Sequence, residues 1–425
     1  MRVLWLCNIM LPVIAMHLGK EVNNKEGWLS GTYDRLKKSG FRMANGEKIE
    51  LGVCFPVGEP MDEIQISLPN IKVYGFYEDT VHPECYDEKL ENKFKQITKD
   101  FNPDIVHCFG TEYPHTLAMT KAFDKPEKIL IGIQGLCYKC ADAYMVGVPE
   151  VVQKTKTFRD VIKKDSMLKQ KEKFEMRGQY EKEALTRAMH VTGRTHWDRE
   201  CVGEISSAKY HFMNETLRSV FYDGMWDEKE CVLHSIFMSQ GDYPLKGLHI
   251  VLEALPKILE KYPDTVIYVA GNDLTAYKNL KQKLKISGYG KYLRYLMKKN
   301  GLLEHVKFLG KLSAKEMKER YLKSNLYVCA SSLENSPNSL GEAMLLGVPA
   351  VAPYTGGIPS VFEKDKDGLM FEPGNASELA EKIIYLFEHP TKMLEYALQA
   401  KEHAKVTHNP EANYRRLLEI YQEIL

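Results

Sequence analysis

Short apolar runs alternate with longer stretches of helical periodicity along most of the chain, the pattern of parallel α/β sheets. In the first half, the runs at 3–7, 49–55, 71–75, 105–108 and 129–133 predict strands, and 31–39, 86–100 and 113–122 predict helices. In the second half, strands are expected at 231–239, 265–270, 306–308, 325–330 and 350–352. The helices between them are expected at 247–261, 278–285, 314–324, 340–346 and 377–388. The pattern weakens between 201 and 227 before a new strand begins, which puts a seam there. Two such halves in tandem predict an α/β chain of two Rossmann-like domains, 1–205 and 206–405, facing each other across a cleft, with a long last helix within 406–425. No internal repeat or low-complexity segment interrupts this order.

At 425 residues the chain is long for one core and fits two domains of about 200 residues each. A hydrophobic content of 44% with 27% charged residues is ordinary for a globular protein. The net charge of +1 argues against wholesale nucleic-acid binding, whose footprint is strongly basic. No stretch approaches 18 uncharged apolar residues, so no transmembrane helix is expected. The N-terminal run MRVLWLCNIMLPVIAM reads as a buried first strand entering a loop at Asn8 rather than as a signal peptide, since no cleavage site is evident. The nine cysteines are odd in number and scattered, which suits reduced thiols and a cytoplasmic location; Cys137 and Cys140 form one CxxC without a second pair, so neither a zinc site nor a redox motif is expected.

The chemistry concentrates at 331–349, SSLENSPNSLGEAMLLGVP. A strand precedes this polar loop and a helix follows it, and α/β sheets bind ligands outside the carboxyl ends of their strands. A helix start offers unpaired N–H groups and partial positive charge to a phosphate. Glu334 and Glu342 stand eight apart, so the loop acid and the first-turn acid can reach one ligand, with phosphates for the helix and hydroxyls for the carboxylates. Taken alone, Glu342 is equally an acid that complements the helix dipole. Lys246, in SQGDYPLKGLHIVLEAL, directly precedes a helix, where a cation is unfavourable unless it serves an anion.

The Glu-x7-Glu spacing, the small-residue helix, Gly347-Val348-Pro349 and the block TGGIPSVFEKDKDGLMFEPGNASELAEKI at 355–383 together resemble the donor-site signature of retaining glycosyltransferases, family 4. The resemblance covers about 232–385 well and the first half only in outline. It implies a GT-B fold in which the C-terminal helix returns to the first domain. It further implies that Glu342 binds the ribose hydroxyls, that Glu334 contacts the transferred sugar and stabilises its cationic character, and that the N–H groups of Asn338, Ser339 and Leu340 meet the phosphates. Lys246 resembles the family's phosphate-binding Lys-Gly, Gly310 and Lys311 stand where the base docks, and Gly27 resembles a glycine of the flexible loop near donor and acceptor.

Two positions depart from the family. Gln240 replaces an arginine that shares the phosphate charge; it can donate a hydrogen bond but brings no charge. Arg194 and Arg218 are candidates to compensate, or each pairs with a carboxylate. Gln134 replaces a histidine near the transferred sugar and acceptor, and cannot titrate. His107 is the nearest titratable substitute, as a site residue or as a satisfied strand-end histidine, with Glu112 and His115 following that strand end.

The implied activity is a retaining, metal-independent transfer of a sugar from a nucleotide sugar, with no cofactor, to a glycan, lipid-linked or small-molecule acceptor in surface polysaccharide or glycoconjugate synthesis. No Asp-x-Asp follows a strand, so no metal is expected. The alternatives are another GT-B enzyme, such as a sugar-nucleotide epimerase or a phosphorylase, and a non-catalytic sugar-nucleotide-binding protein. A dinucleotide oxidoreductase is disfavoured because no Gly-x-Gly-x-x-Gly follows the first strand. The stretch 277–300 holds eight Lys and Arg with no acid and four interleaved tyrosines. It reads as a solvated helix with a tyrosine-lined inner face, or as a peripheral contact with the inner face of a membrane. The mixed-charge stretch 153–183 reads as a surface helix or as an insertion that helps bind the acceptor.

Overall fold

Val3, Trp5 and Cys7 of the first strand, β1 (Arg2–Cys7), enter one apolar cluster while Leu4 and Leu6 enter another. A strand buried on both faces is the mark of a parallel sheet covered by helices on either side. The computed structural model describes residues 1–21, 27–43, 45–277, 279 and 284–425. These divide into two compact units. The first holds Met1–Lys139, Lys173–Arg218 and His408–Leu425; the second holds Cys140–Glu172 and Ser219–Thr407.

The first unit is built on β1, β2 (Glu50–Val57), β3 (Ile64–Leu68), β4 (Ile71–Tyr77), β5 (Ile105–Phe109), β6 (Ile129–Gly132), β7 (His190–Gly193) and β8 (Lys209–Phe212). Their order is β3-β4-β2-β1-β5-β6-β7-β8, parallel throughout except for β3, which pairs antiparallel with β4 at the edge. The helix Lys89–Phe101 covers one face with Leu90, Phe94, Ile97 and Phe101. The last helix, Pro410–Ile424, covers the other with Tyr414, Leu417, Ile420, Tyr421 and Ile424. The C-terminal helix therefore belongs to the first unit's core, as the GT-B resemblance implies.

The second unit carries β9 (Val232–Met238), β10 (Val266–Val269), β11 (Val306–Phe308), β12 (Ser324–Val328), β13 (Ala350–Pro353) and β14 (Leu369–Phe371), in the order β11-β10-β9-β12-β13-β14, all parallel. The helix Leu248–Leu259 is buried at eight of its twelve positions and packs on Ala376–Glu388, while Asn338–Leu346 packs on Pro390–Thr407.

The structure moves several sequence boundaries. The expected edge at 205/206 falls before β8, which pairs with β7 in the register His190↔Lys209 to Gly193↔Phe212 and so extends the first sheet. Trp226 then pins the chain to the second unit, its N–H donating to the Leu346 carbonyl (2.8 Å) and its indole Nε1 to the Ser324 carbonyl (2.7 Å). The expectation also missed the excursion Cys140–Glu172 into the second unit. The predicted helix 278–285 lies largely outside the described residues. Within 277–300, the helix Gly288–Lys299 buries Tyr289 and Tyr292, as a tyrosine-lined inner face requires, but leaves Tyr295 exposed.

Candidate active site

In the second unit, the central strands β9 and β12 end side by side, and the loops leaving their carboxyl ends carry the charged groups. After β9 the chain passes Ser239 and Gln240 and makes a single 3-10 turn, Pro244–Lys246. It then starts the helix Leu248–Leu259 through Gly247 at φ +69°. A Cβ at Gly247 would lie 1.8 Å from the Ala330 carbonyl oxygen beyond the end of β12, so only glycine lets this turn press against the neighbouring strand. That approach brings the Lys246 ammonium to the Glu334 carboxylate, both side chains 18% exposed. Burial works against the charge on Lys246, but the Glu334 carboxylate and the Tyr243 phenol outweigh it and hold its pKa well above the ordinary lysine value.

Glu334 is fixed on two further sides. Ser331 Oγ donates to its Oε1 (2.8 Å), and its carbonyl accepts the Gly357 N–H (3.0 Å). Gly356, at φ +53°, passes so close that a Cβ would fall 2.1 Å from the Glu334 carbonyl oxygen. Thr355 Oγ1 donates to the Ser332 carbonyl (3.0 Å), tying the same turn to the loop. Lys246, Glu334, Ser331, Gln240 and Ser339 line one cavity of ≈ 290 Å³ with the end of β12 as its floor.

The helix Asn338–Leu346 begins at this cavity two residues earlier than expected, and no side chain caps its N-terminus, where Pro337 stands. Its first N–H groups have no partner within the helix. The structure corrects one of the three expected donors: Leu340 N–H is already given to the Pro337 carbonyl (3.0 Å), which leaves Asn338 and Ser339 at the open end. Ser339 is held from beneath. Tyr327 of β12 shares hydrogen bonds with Ser339 Oγ (2.9 Å) and Ser239 Oγ (3.1 Å), and Tyr321 donates to the Ser339 carbonyl (2.8 Å). Glu342 comes in the second turn rather than the first, is 3% exposed, and does not line the cavity. Gln240 donates to Asp242 (2.9 Å). Gly310 follows β11 at the sheet edge with φ +73°, its carbonyl accepting the Gly271 N–H (2.8 Å) and open space where a Cβ would be.

In the first unit the structure overturns two expectations. His107 is no titratable substitute for the missing histidine. It is fully buried on β5, its Nδ1 bonded to Tyr421 (2.8 Å), and burial pushes its pKa down to about 3. Arg194 is no free cation: it is 4% exposed, paired with Glu215, and donates to Gln134 Oε1 (3.1 Å). Gln134 in turn donates to Glu215 (2.7 Å), so the three side chains form a closed group at the β6 and β7 ends. They line a cavity of ≈ 520 Å³ beneath the C-terminal helix, larger than the one at Lys246, and here the charge pair, Arg194–Glu215, is buried. Arg218 and Gly27 do meet: a Cβ on Gly27 would lie 1.9 Å from Arg218 Cγ, so the glycine makes room for the arginine.

One hydrogen-bonded chain received little weight from the sequence. Glu78 bonds His115 Nδ1 (2.6 Å), His115 Nε2 bonds Asn8 Oδ1 (3.0 Å), and Asn8 Nδ2 donates to Glu112 (3.3 Å). Gly135 N–H also donates to Glu112 (3.2 Å). The chain crosses from β4 to β6 along the strand ends and fixes the Glu112 carboxylate there. His115 and Glu112 follow β5 in the sequence, but Glu78 and Asn8 could not be joined to them before strand order was known. Ser331 and Tyr327 were missed for a related reason: a hydroxyl shows its partner only in three dimensions.

The sequence family described as Glycosyl transferases group 1 matches residues 234–406. That range holds Lys246, Glu334 and the helix Asn338–Leu346, so the group 1 region and the charged cavity coincide. Spore coat protein SA of Bacillus subtilis is 28% identical over 183 residues, 42% of this chain and 46% of its own. The chain spans less than half the length of that relative. Among solved structures, the chain resembles sucrose-phosphate synthase from Thermosynechococcus elongatus with a TM-score of 0.69 at 14% identity, covering 100% of this chain and 99% of the other. It resembles the Anabaena Alr3699/HepE structure in complex with UDP-glucose with a TM-score of 0.65 at 15% identity, covering 100% of both. At such identities the likeness establishes the fold, and the fold is GT-B.

Proposed function

We propose that this chain transfers a sugar from a nucleotide sugar to an acceptor hydroxyl, with retention at the anomeric carbon and without a metal. The observation that carries this reading is the Lys246–Glu334 pair at an uncapped helix start, inside the region that matches Glycosyl transferases group 1. In the transfer the bond from the anomeric carbon to the phosphate oxygen breaks, and the electron pair leaves with the diphosphate. Lys246 and the N–H groups of Asn338 and Ser339 stabilise that charge, a fixed electrostatic environment of the kind that contributes most to such catalysis. Glu334 meets the hydroxyls of the transferred sugar and favours the positive character of its ring. The acceptor hydroxyl adds on the same face, and its proton passes to the departing phosphate oxygen, so no titrating histidine is required. Gln240 serves the phosphates as a neutral donor and Gly310 the base, while the ribose role implied for Glu342 would need its buried carboxylate to be uncovered.

The HepE structure in complex with UDP-glucose supports a nucleotide diphosphate sugar as the donor class. We place the acceptor class among glycans and lipid-linked intermediates of surface polysaccharide or glycoconjugate synthesis, with the first unit as the acceptor-binding one. Among the described residues no helix is long and apolar enough to cross a membrane. All nine cysteines are free thiols, which supports work in a reducing compartment such as the cytoplasm.

The test is a panel of UDP-, GDP- and ADP-sugars. One of them raises the thermal midpoint and is slowly hydrolysed to the nucleoside diphosphate, and EDTA leaves the rate unchanged. Lys246→Ala abolishes the hydrolysis. If no sugar nucleotide stabilises the protein, the reading fails; if one does but none is hydrolysed or transferred, the chain binds donors without catalysis.

A further inference from the structure

Between β6 and β7 the chain contributes Cys140–Glu172 to the second unit. Two short helices lie in this excursion, Glu150–Gln153 and Phe158–Lys163, and the second is anchored on its polar side. Thr157 caps the second helix and donates to the Ile286 carbonyl (2.8 Å), and the buried Asp160 carboxylate accepts the Gly288 N–H (2.9 Å). Gly288 opens the basic helix Gly288–Lys299, so excursion and basic helix share one surface of the second unit.

With its polar groups turned inward, Phe158–Lys163 presents Phe158, Val161 and Ile162 to solvent at 61, 63 and 64% exposure. That i, i+3, i+4 spacing is the stripe an amphipathic helix normally buries. Val151, at 80%, and Leu284, at 55%, are further exposed apolar residues of the excursion and of the segment before the basic helix. Single exposed apolar residues need no explanation, whereas a contiguous stripe points to a partner. The charges around it are mostly basic, although Glu150 and Asp165 at its borders pair with Lys154 and Arg159. Between 151 and 164 there are five basic residues and one acid, Asp160, which is buried; between 284 and 300 there are five basic residues and no acid. Among the described residues Lys156, Lys163 and Lys285 are exposed and make no ion pair.

We propose that this surface docks on the anionic headgroup layer of a lipid bilayer, with Phe158, Val161 and Ile162 at the acyl boundary and the lysines among the lipid phosphates. Apolar residues flanked by lysines are the composition of interfacial helices. A second copy of the chain fits less well, because a two-fold pairing would set this patch against itself and lysine against lysine. The proposal rests on surface chemistry alone and is independent of the donor reading.

The full chain is sedimented with vesicles of phosphatidylcholine alone and of phosphatidylcholine mixed with phosphatidylglycerol. It pellets with the mixed vesicles only, and added salt releases it. Each lysine reversed in Lys156→Glu/Lys163→Glu weakens that binding about fivefold or more, and Phe158→Asp/Ile162→Asp removes it. Both double variants keep the wild-type thermal midpoint and the rate of donor hydrolysis in vesicle-free solution, which separates lost docking from lost folding. In Phe158→Trp, the emission shifts to shorter wavelength on adding the mixed vesicles. The proposal is overturned if the wild type stays in the supernatant with both vesicles, or if all variants pellet alike. It is equally overturned if Phe158→Asp/Ile162→Asp dissolves a dimer while vesicle binding is absent.

Discussion

Glu334 is held by a lysine, a serine hydroxyl and a glycine turn, and each of these contacts can be removed separately. Glu334→Gln keeps the shape and removes the charge; turnover of the donor is expected to fall by about 10²–10³, the usual cost of losing one preorganised electrostatic contact. Ser331→Ala leaves the carboxylate in place without its hydroxyl donor (2.8 Å). A hydrogen bond to a charged group contributes about 1.5–3 kcal/mol, so a loss of kcat of roughly tenfold or more, with little change in KM, is expected. Gly356→Ala puts a methyl group 2.1 Å from the Glu334 carbonyl oxygen at a φ of +53°. It should lower the thermal midpoint and kcat together, whereas Ser331→Ala should lower kcat alone. Lys246 and Glu334 were legible in the sequence because each is a charge in an awkward place: a cation at a helix start, and an acid in a loop beside a second acid. For His107 and Arg194 the sequence left a site role and a structural role open, and could not choose the structural one because it gives neither burial nor partner. Nothing in the letters around His107 says that Tyr421, more than three hundred residues later, takes its Nδ1.

Elements buried on both faces were the readable ones. β1, β2, β4, β5 and β9 are apolar runs, and the sequence places them within a residue or two. β7 (HVTG) and β8 (KYHF) are short and half polar; their strand character comes from pairing with β6 and with each other, which no local pattern encodes. Missing them shifted the seam. β3 hides for another reason, its alternation being that of an exposed edge, and β14 is three residues long. The last helix shows what an element can decide beyond its own length. Its Tyr421 hydroxyl accepts from Trp5 Nε1 (2.9 Å) and bonds His107 Nδ1 (2.8 Å), joining β1, β5 and the C-terminal helix inside the core. Tyr421→Phe leaves both ring nitrogens buried without a partner, at about 1–3 kcal/mol for each unsatisfied group. Urea denaturation followed by tryptophan fluorescence should show a lower midpoint for the first unit, while donor-induced stabilisation of the second unit persists. Equal midpoints would mean that the helix is an attachment rather than part of the core.

For the molecule as a whole, two kinds of buried group in the first unit set opposite dependences on pH. Burial pushes His107 down to about 3, and burial with the neighbouring His190 pushes His211 down to about 4. In the unfolded chain both titrate near 6.5, so below about pH 6.5 the unfolded chain binds protons that the folded unit refuses. Their contribution is present above that value and is lost as the pH falls toward about 3. Glu181 acts in the other direction. Burial, opposed by hydrogen bonds from Thr111 and the Cys137 and Tyr138 N–H groups, pushes its carboxyl up to about 8. An unfolded glutamate titrates near 4.3, so between there and about pH 8 the folded unit binds the extra proton, and stability falls as the pH rises. Both slopes belong to one unit, and a two-unit chain need not unfold in one step. The measurement is therefore amide hydrogen exchange of β1 and β5 across pH, corrected for intrinsic exchange. Below about pH 6.5 the two histidines outweigh the one glutamate, so protection should rise to a maximum near pH 6.5 and decline above it. Glu181→Gln, which keeps an oxygen for Thr111 and Cys137, should flatten the alkaline side and steepen the rise between about pH 4.5 and 6.5. A variant whose protection still declines between about pH 6.5 and 8 would assign that loss to groups other than this carboxyl.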